Sequence, residues 1–210
     1  MNQQIITFFI GGAGDASRYF GAGPHFLMRD QVKAPFDKVA PTTCLSIYLG
    51  YGAVYGKKNI QQNILSCIAN KQQTLINIVG YSLGGWNGAH LAEILTAQGY
   101  TVDVLITLDP VGTNAGVAIV SKIYWNYPIP QANHWINVLT KPPLLEPDDV
   151  IARAGGQWIP PQNNVHAFYE TLYHHREVGK LFTAPLGEGL SAVERLLLFI
   201  QRAQKDVPLV

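Results

Sequence analysis

Charged residues are scarce in this chain, and cysteines are scarcer still. Aspartate, glutamate, lysine and arginine together make up 14% of the 210 residues, and the formal net charge is only +1. A nucleic-acid-binding protein usually carries a basic stripe, so we expect no nucleic-acid partner. The two cysteines, Cys44 and Cys67, fall in a predicted strand and a predicted helix. We therefore expect buried reduced thiols rather than a disulfide, which fits a reducing compartment.

Long hydrophobic runs are also missing, although 48% of the residues are hydrophobic. No segment reaches the ~20 continuous apolar residues that a membrane-spanning helix needs. The first residues, MNQQIITFFIGGAGD, lack the basic region and the small-residue cleavage site of a secretory signal. We expect a cytoplasmic protein with a single domain over residues 1–210. Transient contact with a membrane surface and export without a cleaved signal stay open, and no protein partner is indicated.

Strand-like and helix-like segments alternate along the chain. This alternation predicts an α/β fold in which a mostly parallel sheet carries helices on both faces. Asp148 is expected to cap a short helix after the fifth strand. The predicted strands are 5–10, 44–49, 74–79, 102–108 and 135–139, and the predicted longer helices are 59–70, 83–98, 166–180 and 190–204.

The segment 75–95, LINIVGYSLGGWNGAHLAEIL, is the most informative part of the chain. An apolar strand ends in Gly80-Tyr81-Ser82-Leu83-Gly84, and a helical pattern follows at once. G-x-S-x-G in this context forms a sharp turn that lifts the serine hydroxyl above the sheet. The motif alone is weak, and the alternative is a glycine-rich structural turn. The strand before it and the helix after it favour Ser82 as a nucleophile.

A serine nucleophile needs a base and an orienting carboxylate, in the chain order serine, acid, histidine. The next strand runs directly into Asp109, at the carboxyl edge where sheet enzymes place their chemistry. Pro110 should bias Asp109 toward an extended backbone. Asp109 is therefore the predicted acid. A turn-forming Asp-Pro is the plain alternative, and Asp148 and Asp149 after the fifth strand are rival acids.

Four of the six histidines follow Asp109 in the chain, and three of them remain as candidate bases once His134, which opens a strand, is set aside. His166 comes after a Pro-Gln-Asn-Asn loop and before a helical pattern, so we predict that His166 is the base. His174 and His175 are the alternatives, although a predicted mid-helix position beside Arg176 favours a solvated face. The order or the position excludes His25, His90 and His134.

Acyl transfer also needs two backbone N–H groups that face the developing oxyanion. One should come from Leu83, the residue after the nucleophile, at the N-terminus of its helix. The other should come from Gly12 or Ala13, in the glycine loop that follows the first strand. A phosphate cradle is the alternative for this loop, but neither G-x-G-x-x-G nor G-x-x-x-x-G-K-[ST] is present.

These residues together resemble an α/β-hydrolase over most of the chain, with a reduced sheet. The acid in Leu108-Asp109-Pro110 is similar to the Leu-Asp-Pro acid of pancreatic-type lipases. In those lipases the acid also comes at the end of the strand that follows the serine turn. The compact chain further resembles small bacterial lipase effectors of the type VI secretion class. The resemblance implies a serine esterase of the lipase class, which acts on a lipid or other ester substrate in lipid degradation through a catalytic triad and an oxyanion hole. Such an enzyme needs no cofactor and no metal.

The connection 112–135 should shape the substrate site, because it follows the predicted acid and is aromatic. Tyr124, Trp125 and Tyr127 are predicted to bind the substrate, as a lid or an acyl-chain wall. A loop that simply packs over the sheet explains them equally well. Aromatic residues beside the glycine loop could line the same cleft, namely Tyr19, Phe20 and Phe26. Alternative functions are a thioesterase or acyltransferase on the same triad, an amidase or peptidase, and a non-catalytic interaction protein.

Overall fold

The sheet has six strands, all parallel to their neighbours, in the order β2-β1-β3-β4-β5-β6. The structure is a computed structural model, and it describes residues 3–15, 24–187 and 189–205. The strands are β1 (Gln4–Gly11), β2 (Cys44–Gly50), β3 (Thr74–Tyr81), β4 (Thr101–Leu108), β5 (His134–Thr140) and β6 (Ala167–Thr171). This architecture confirms the predicted α/β class and the first five strands.

Seven α-helices connect and cover the described strands. They are α1 (Ala34–Asp37), α2 (Lys57–Asn63), α3 (Leu83–Ala97), α4 (Ala115–Val120), α5 (Pro147–Ala154), α6 (Val178–Thr183) and α7 (Ala192–Lys205). A π-helical segment, Met28–Lys33, runs directly into α1. Among the described residues, no helix has the length and apolar character to cross a membrane.

Two hydrophobic cores lie on opposite faces of the sheet, because side chains alternate along each strand. In β4, Val104 and Ile106 face the core that includes residues of α6 and α7. Leu105 faces the other core, which includes most of the apolar residues of α3. Both Cys44 and Cys67 are free thiols, as the sequence predicted, but they are half-buried rather than buried.

The topology places a crevice between β1 and β3. The chain passes from β1 to β2 on one side, and β3 then pairs with β1 on the other side. Ligands of open parallel sheets bind at the carboxyl ends of the strands at such a switch point. The glycine loop follows β1 and Ser82 follows β3, so both flank this crevice.

The predicted helix over 166–180 is wrong. The segment forms the edge strand β6 (Ala167–Thr171), then a loop, then α6 (Val178–Thr183). β6 pairs in parallel with β5, from Ala167 beside Ile136 to Thr171 beside Thr140. This tertiary pairing outweighs the local helical pattern, because propensity is a weak signal for short segments.

The start of α5 also differs from the prediction. Glu146, not Asp148, is the N-cap residue, and Glu146 and Asp149 form a reciprocal capping box. Asp148 lies on the first turn, where its carboxylate is 3.5 Å from Arg176. The capping box buries Asp149, which is only 2% exposed.

Candidate active site

Ser82 occupies a strained turn between β3 and α3. Its φ of 56° and ψ of −125° lie outside the regions that L-residues usually adopt, at a cost of about 1–3 kcal/mol. Hydrogen bonds hold the turn: the Ser82 N–H donates to the Leu108 carbonyl (3.1 Å), and the Val111 N–H donates to the Ser82 carbonyl (3.1 Å). The turn after β3 is thus joined to the segment after β4 that carries Asp109.

The glycines around Ser82 are required by close backbone contacts. A Cβ at Gly80 would lie 2.8 Å from the Gly84 carbonyl carbon. A Cβ at Gly84 would lie 2.7 Å from the Ile10 carbonyl carbon at the end of β1. A side chain at either position would therefore push α3 away from β1 and β3.

Asp109 is fully buried, and four hydrogen-bond donors meet its carboxylate. Oδ1 accepts from the Thr140 N–H (3.0 Å) and from Gln157 Nε2 (2.5 Å). Oδ2 accepts from Thr140 Oγ1 (2.9 Å) and lies 2.6 Å from His175 Nδ1. The expected extended backbone is wrong, since Asp109 has a φ of 43° even though Pro110 follows it. The network of donors compensates the burial of a carboxylate.

His175 connects Ser82 with Asp109. Its Nδ1 lies 2.6 Å from Asp109 Oδ2, and its Nε2 lies 3.1 Å from Ser82 Oγ. An ionised carboxylate only accepts hydrogen bonds, so Nδ1 must carry the proton and Nε2 is left to accept one from the hydroxyl. The arrangement can withdraw the proton from Ser82 as its oxygen attacks an electrophile.

His166, the predicted base, lies at the opposite end of the sheet. Its Nδ1 accepts a hydrogen bond from the Trp135 N–H (3.0 Å), and its ring is 5.9 Å from that of His134. His166 precedes β6 and His175 follows it. The two histidines are therefore separated by a five-residue strand, which spans ~16 Å. His175, which the sequence analysis had kept as an alternative, and not His166, therefore lies between Ser82 and Asp109.

Asp149, a rival acid in the sequence, contacts the backbone of His175 and the ring of His174. Oδ1 accepts from the His175 N–H (2.7 Å), and Oδ2 lies 2.6 Å from His174 Nδ1. Oδ2 also accepts from the Glu146 N–H (2.9 Å). Asp149 thus contacts the backbone of His175, whereas the other acid, Asp109, contacts the His175 ring.

Hydrogen bonding favours the charged forms of both His174 and Asp149. The hydrogen bond with Asp149 raises the pKa of His174. Burial raises the pKa of Asp149, but the hydrogen bonds from His174 and from two backbone N–H groups outweigh burial and leave that pKa lowered. The stabilisation is present between the two values, and is lost as pH rises through the raised pKa of His174 or falls through the lowered pKa of Asp149.

Tyr81, the residue before Ser82, contacts both the backbone and the ring of His175. The Tyr81 hydroxyl donates to the His175 carbonyl (3.0 Å), and the two rings are 4.8 Å apart. Burial raises the pKa of Tyr81 well above its usual range, so the hydroxyl keeps its proton and acts as a donor. Sequence reasoning missed Tyr81 because nothing local links it to a residue 94 positions later.

The glycine loop brings Gly12 against Ser82. A Cβ at Gly12 would lie 2.7 Å from Ser82 Cβ and 3.3 Å from Ser82 Oγ. Leu83 follows Ser82 as the first residue of α3, and Ala13 packs against the core on the α3 face. All three predicted oxyanion residues therefore lie on segments that meet at the nucleophile.

Asp15 attaches the glycine loop to the π-helical segment. Its buried carboxylate accepts from the Met28 N–H (3.2 and 3.3 Å) and from the Tyr48 hydroxyl (3.1 Å). The same hydroxyl also lies 2.9 Å from the Asp15 carbonyl. Burial raises the pKa of Asp15, against the lowering effect of these donors.

Three aromatic residues near the glycine loop were predicted to line the cleft. Phe26 has a φ of 52°, whereas Tyr19 and Phe20 lie outside the described residues.

The predicted substrate aromatics lie along α3. The Tyr124 carbonyl accepts from Trp86 Nε1 (2.9 Å), and the Tyr124 ring is 4.6 Å from that of His90. Trp125 and Tyr127 are 62% and 61% exposed, and the Tyr127 ring packs on Trp86 at 5.6 Å. These contacts are with Trp86 and His90 on α3, and not with Ser82, Asp109 or His175. The role of the predicted aromatics as substrate-binding residues is not supported by this placement.

The rest of this connection is also tied to α3. Asn87 Nδ2 donates to the Lys122 carbonyl (2.8 Å), and Glu93 accepts from the Ile129 N–H (2.9 Å). These bonds lie one and three turns into the helix, so the segment runs away from Ser82. The arrangement is that of a packed loop, the alternative to a lid.

A metal site would require a cluster of ligating side chains. Over residues 3–15, 24–187 and 189–205, no group of three or more histidine, cysteine, aspartate or glutamate residues could hold a metal ion. The chemistry that the described residues support at this site is that of the Ser82, His175 and Asp109 side chains.

Comparison with known proteins supports the fold. No protein family and no curated protein matches the chain by sequence. Among solved structures, a protein of Lactobacillus plantarum that is named as a candidate cell surface hydrolase matches with a TM-score of 0.51 at 9% identity, over 96% of this chain and 91% of that one. A type II thioesterase of the yersiniabactin biosynthetic pathway matches with a TM-score of 0.49 at 10% identity, over 97% and 94% of the two chains. The chain has an α/β-hydrolase fold.

Proposed function

We propose that this protein is a serine hydrolase that cleaves carboxylic esters through an acyl-enzyme. The observation that carries the proposal is the position of His175, whose two ring nitrogens lie 3.1 Å from Ser82 Oγ and 2.6 Å from Asp109 Oδ2. This is the hydrogen-bond order of a nucleophile, a general base and an orienting carboxylate. The strained backbone of Ser82 supports it, because strain of this kind clusters at active sites.

Acylation begins when Ser82 Oγ attacks the ester carbonyl carbon. His175 Nε2 takes the hydroxyl proton as the new C–O bond forms, and the carbonyl electron pair moves to the oxygen. Collapse of this tetrahedral intermediate breaks the bond to the leaving alcohol, which receives the proton from Nε2. Asp109 stabilises the positively charged imidazole and keeps its orientation.

Deacylation repeats these steps with water. His175 Nε2 removes a proton from the water, whose oxygen attacks the acyl carbon. The intermediate collapses, the bond to Ser82 Oγ breaks, and the proton returns to the serine. The products are the carboxylic acid and the free enzyme.

The backbone N–H groups of Leu83 and of Gly12 or Ala13 are the proposed oxyanion donors. Leu83 begins α3, whose N-terminus favours negative charge. Gly12 is close enough to Ser82 that no side chain fits between them. One such donor typically contributes about 10²–10³ in rate.

The Gly12→Ala variant should lose most of its ester turnover. The new Cβ would lie 2.7 Å from Ser82 Cβ, so the glycine loop must move away from the nucleophile. We expect kcat to fall by about 10²-fold or more, the loss that accompanies a misplaced donor. The matched control is Gly52→Ala, whose Cβ would only meet Lys122 at 3.6 Å. Equal activity in the two variants would rule out Gly12 as part of the oxyanion site.

Apolar, lipid-like esters are the proposed substrates. The segments that follow β5 and β6 expose Leu144 (79%) and Leu172 (73%), and Leu172 lies three residues before His175. α5, which carries Asp149, exposes Ile151 (66%). Exposed apolar residues on the segments that hold the base favour substrates with an apolar acyl chain.

Activity should therefore rise with acyl-chain length. Each methylene that is buried contributes ~0.8 kcal/mol, nearly fourfold in kcat/KM if fully realised. We expect kcat/KM to climb from acetyl to octanoyl nitrophenyl esters and then level off. Replacing Leu144 and Leu172 together by serine should flatten the climb and leave acetyl ester hydrolysis unchanged.

The double variant Trp125→Ala, Tyr127→Ala serves as the comparison for this series. A flattened profile in this variant instead would assign the acyl site to the aromatic segment along α3. A wild-type profile that peaks at acetyl would contradict the lipid-like substrate and indicate a short-chain esterase.

A further inference from the structure

Both backbone hydrogen-bonding groups of His175 are held by buried side chains from elsewhere in the fold. Its N–H donates to Asp149 Oδ1 on α5 (2.7 Å), and its carbonyl accepts from the Tyr81 hydroxyl at the end of β3 (3.0 Å). Asp149 is 2% exposed and Tyr81 is 4% exposed. The two contacts approach the same residue from two different elements.

The Asp149 side of this arrangement is itself held firmly. Oδ2 lies 2.6 Å from His174 Nδ1 and accepts from the Glu146 N–H. His174 in turn is surrounded by acidic groups, with Glu146 Oε1 3.7 Å from its ring and its own N–H bonded to Glu177 (2.9 Å). A carboxylate with all its contacts fixed has little freedom to move, so it defines the position of the His175 amide.

His175 lies in a loop that needs such support. The loop, residues 172–177, joins the edge strand β6 to α6. Residues of an irregular connection are more mobile than residues in a sheet, unless side chains hold them. The imidazole must nevertheless reach both Ser82 Oγ and Asp109 Oδ2, and a shift of 1 Å can cost ~10²-fold in rate.

We propose that Asp149 and Tyr81 are positioning residues that clamp the backbone of His175 and so align its imidazole between Ser82 and Asp109. The inference rests on the proposed function, because it concerns the same catalytic histidine. Asp149 acts through the amide of His175 and Tyr81 through its carbonyl. Both residues hydrogen-bond to the backbone of His175, and neither hydrogen-bonds to its imidazole or to Ser82 Oγ.

The first test compares Asp149→Asn with Asp148→Asn. Both changes remove one negative charge from the first turn of α5, but Asp148 contacts Arg176 and not the His175 backbone. The asparagine amide cannot accept all three hydrogen bonds that Asp149 accepts. We expect kcat of Asp149→Asn to fall about 10- to 100-fold with KM within twofold of wild type, and Asp148→Asn to keep wild-type values.

The second test uses Tyr81→Phe, which removes a single oxygen and keeps the buried ring in place. We expect a three- to tenfold loss of kcat, about the effect of one lost hydrogen bond. Tyr100→Phe is the matched control, since Tyr100 lies before β4 at the opposite end of the sheet. This pair keeps the clamp testable if Asp149→Asn fails to fold.

Both tests report kcat on a short nitrophenyl ester per active serine, counted by titration with a fluorophosphonate. Normalisation separates misalignment from misfolding, because unfolded molecules do not react with the titrant. The clamp is overturned if folded Asp149→Asn and Tyr81→Phe both turn over within twofold of their controls. If wild-type protein does not react with the fluorophosphonate at all, the proposed function fails, and the clamp fails with it.

Discussion

Replacing Ser82 by alanine should abolish ester turnover. The change removes one hydroxyl from the turn between β3 and α3, and loss of a triad member typically costs about 10⁴–10⁶ in rate. The measurement is kcat/KM on a short nitrophenyl ester, with the thermal unfolding temperature measured in parallel. The relief of strain at a φ of 56° is small for serine to alanine, since both carry a Cβ, so the fold should be retained.

The control for this variant is Ser66→Ala. The Ser66 hydroxyl donates to the Gln62 carbonyl on an exposed turn after α2, away from the crevice. We expect wild-type turnover from this control. More than a tenth of wild-type activity in folded Ser82→Ala would contradict the assignment of the nucleophile.

The second large effect is expected at His175 and not at His166. His175→Ala removes the only described side chain that contacts both Ser82 Oγ and Asp109, so kcat should fall by about 10⁴-fold or more. Combining it with Ser82→Ala should add little further loss, because the triad acts as a unit. His166→Ala is the matched control, because that ring bonds the Trp135 backbone at the other end of the sheet.

The opposite result, with His166→Ala inactive and His175→Ala active, would support His166 as the base. A silent His166→Ala alongside an active His175→Ala would mean that the geometry described here is not the catalytic one. Loss of activity in His174→Ala, with His175→Ala still active, would assign the base to His174. Each outcome is read from kcat per folded protein, with the thermal unfolding temperature measured in parallel.

The parts of the site that could be predicted from the sequence are those with local signals. Ser82 lies between glycines that two close backbone contacts require, and strand and helix patterns flank it. Asp109 directly follows a buried strand, and the glycine loop directly follows β1. For these residues, the position at the carboxyl end of a parallel strand was enough.

The proposed base, His175, could not be found in the same way, because the strand before it was not recognised. β6 is a five-residue edge strand whose side chains are mostly half-buried, so its pattern does not alternate clearly. Had Ala167–Thr171 been identified as a strand, the rule that chemistry follows the carboxyl end would have excluded His166 and favoured His174 or His175. Because the sequence pattern predicted a helix over 166–180, no strand end was expected before His174 and His175.

The supporting contacts have no sequence signal at all. Asp149 meets His175 across 26 positions and Tyr81 meets it across 94, through the packing of α5 and β3 around one loop. The placement of the aromatic segment around Tyr124 also has no local sequence signal. Its composition resembles a substrate wall, but partners on α3, such as Trp86, decide where it lies.

The most direct test of the central claim is covalent labelling of the protein by a fluorophosphonate, followed by peptide mass spectrometry. The reagent reacts with a serine only when a base activates its hydroxyl. We expect a single adduct on Ser82, formed at the wild-type rate in His166→Ala and lost in His175→Ala. An adduct on another serine, or labelling of Ser82 at the wild-type rate in His175→Ala, would contradict the Ser82–His175–Asp109 triad.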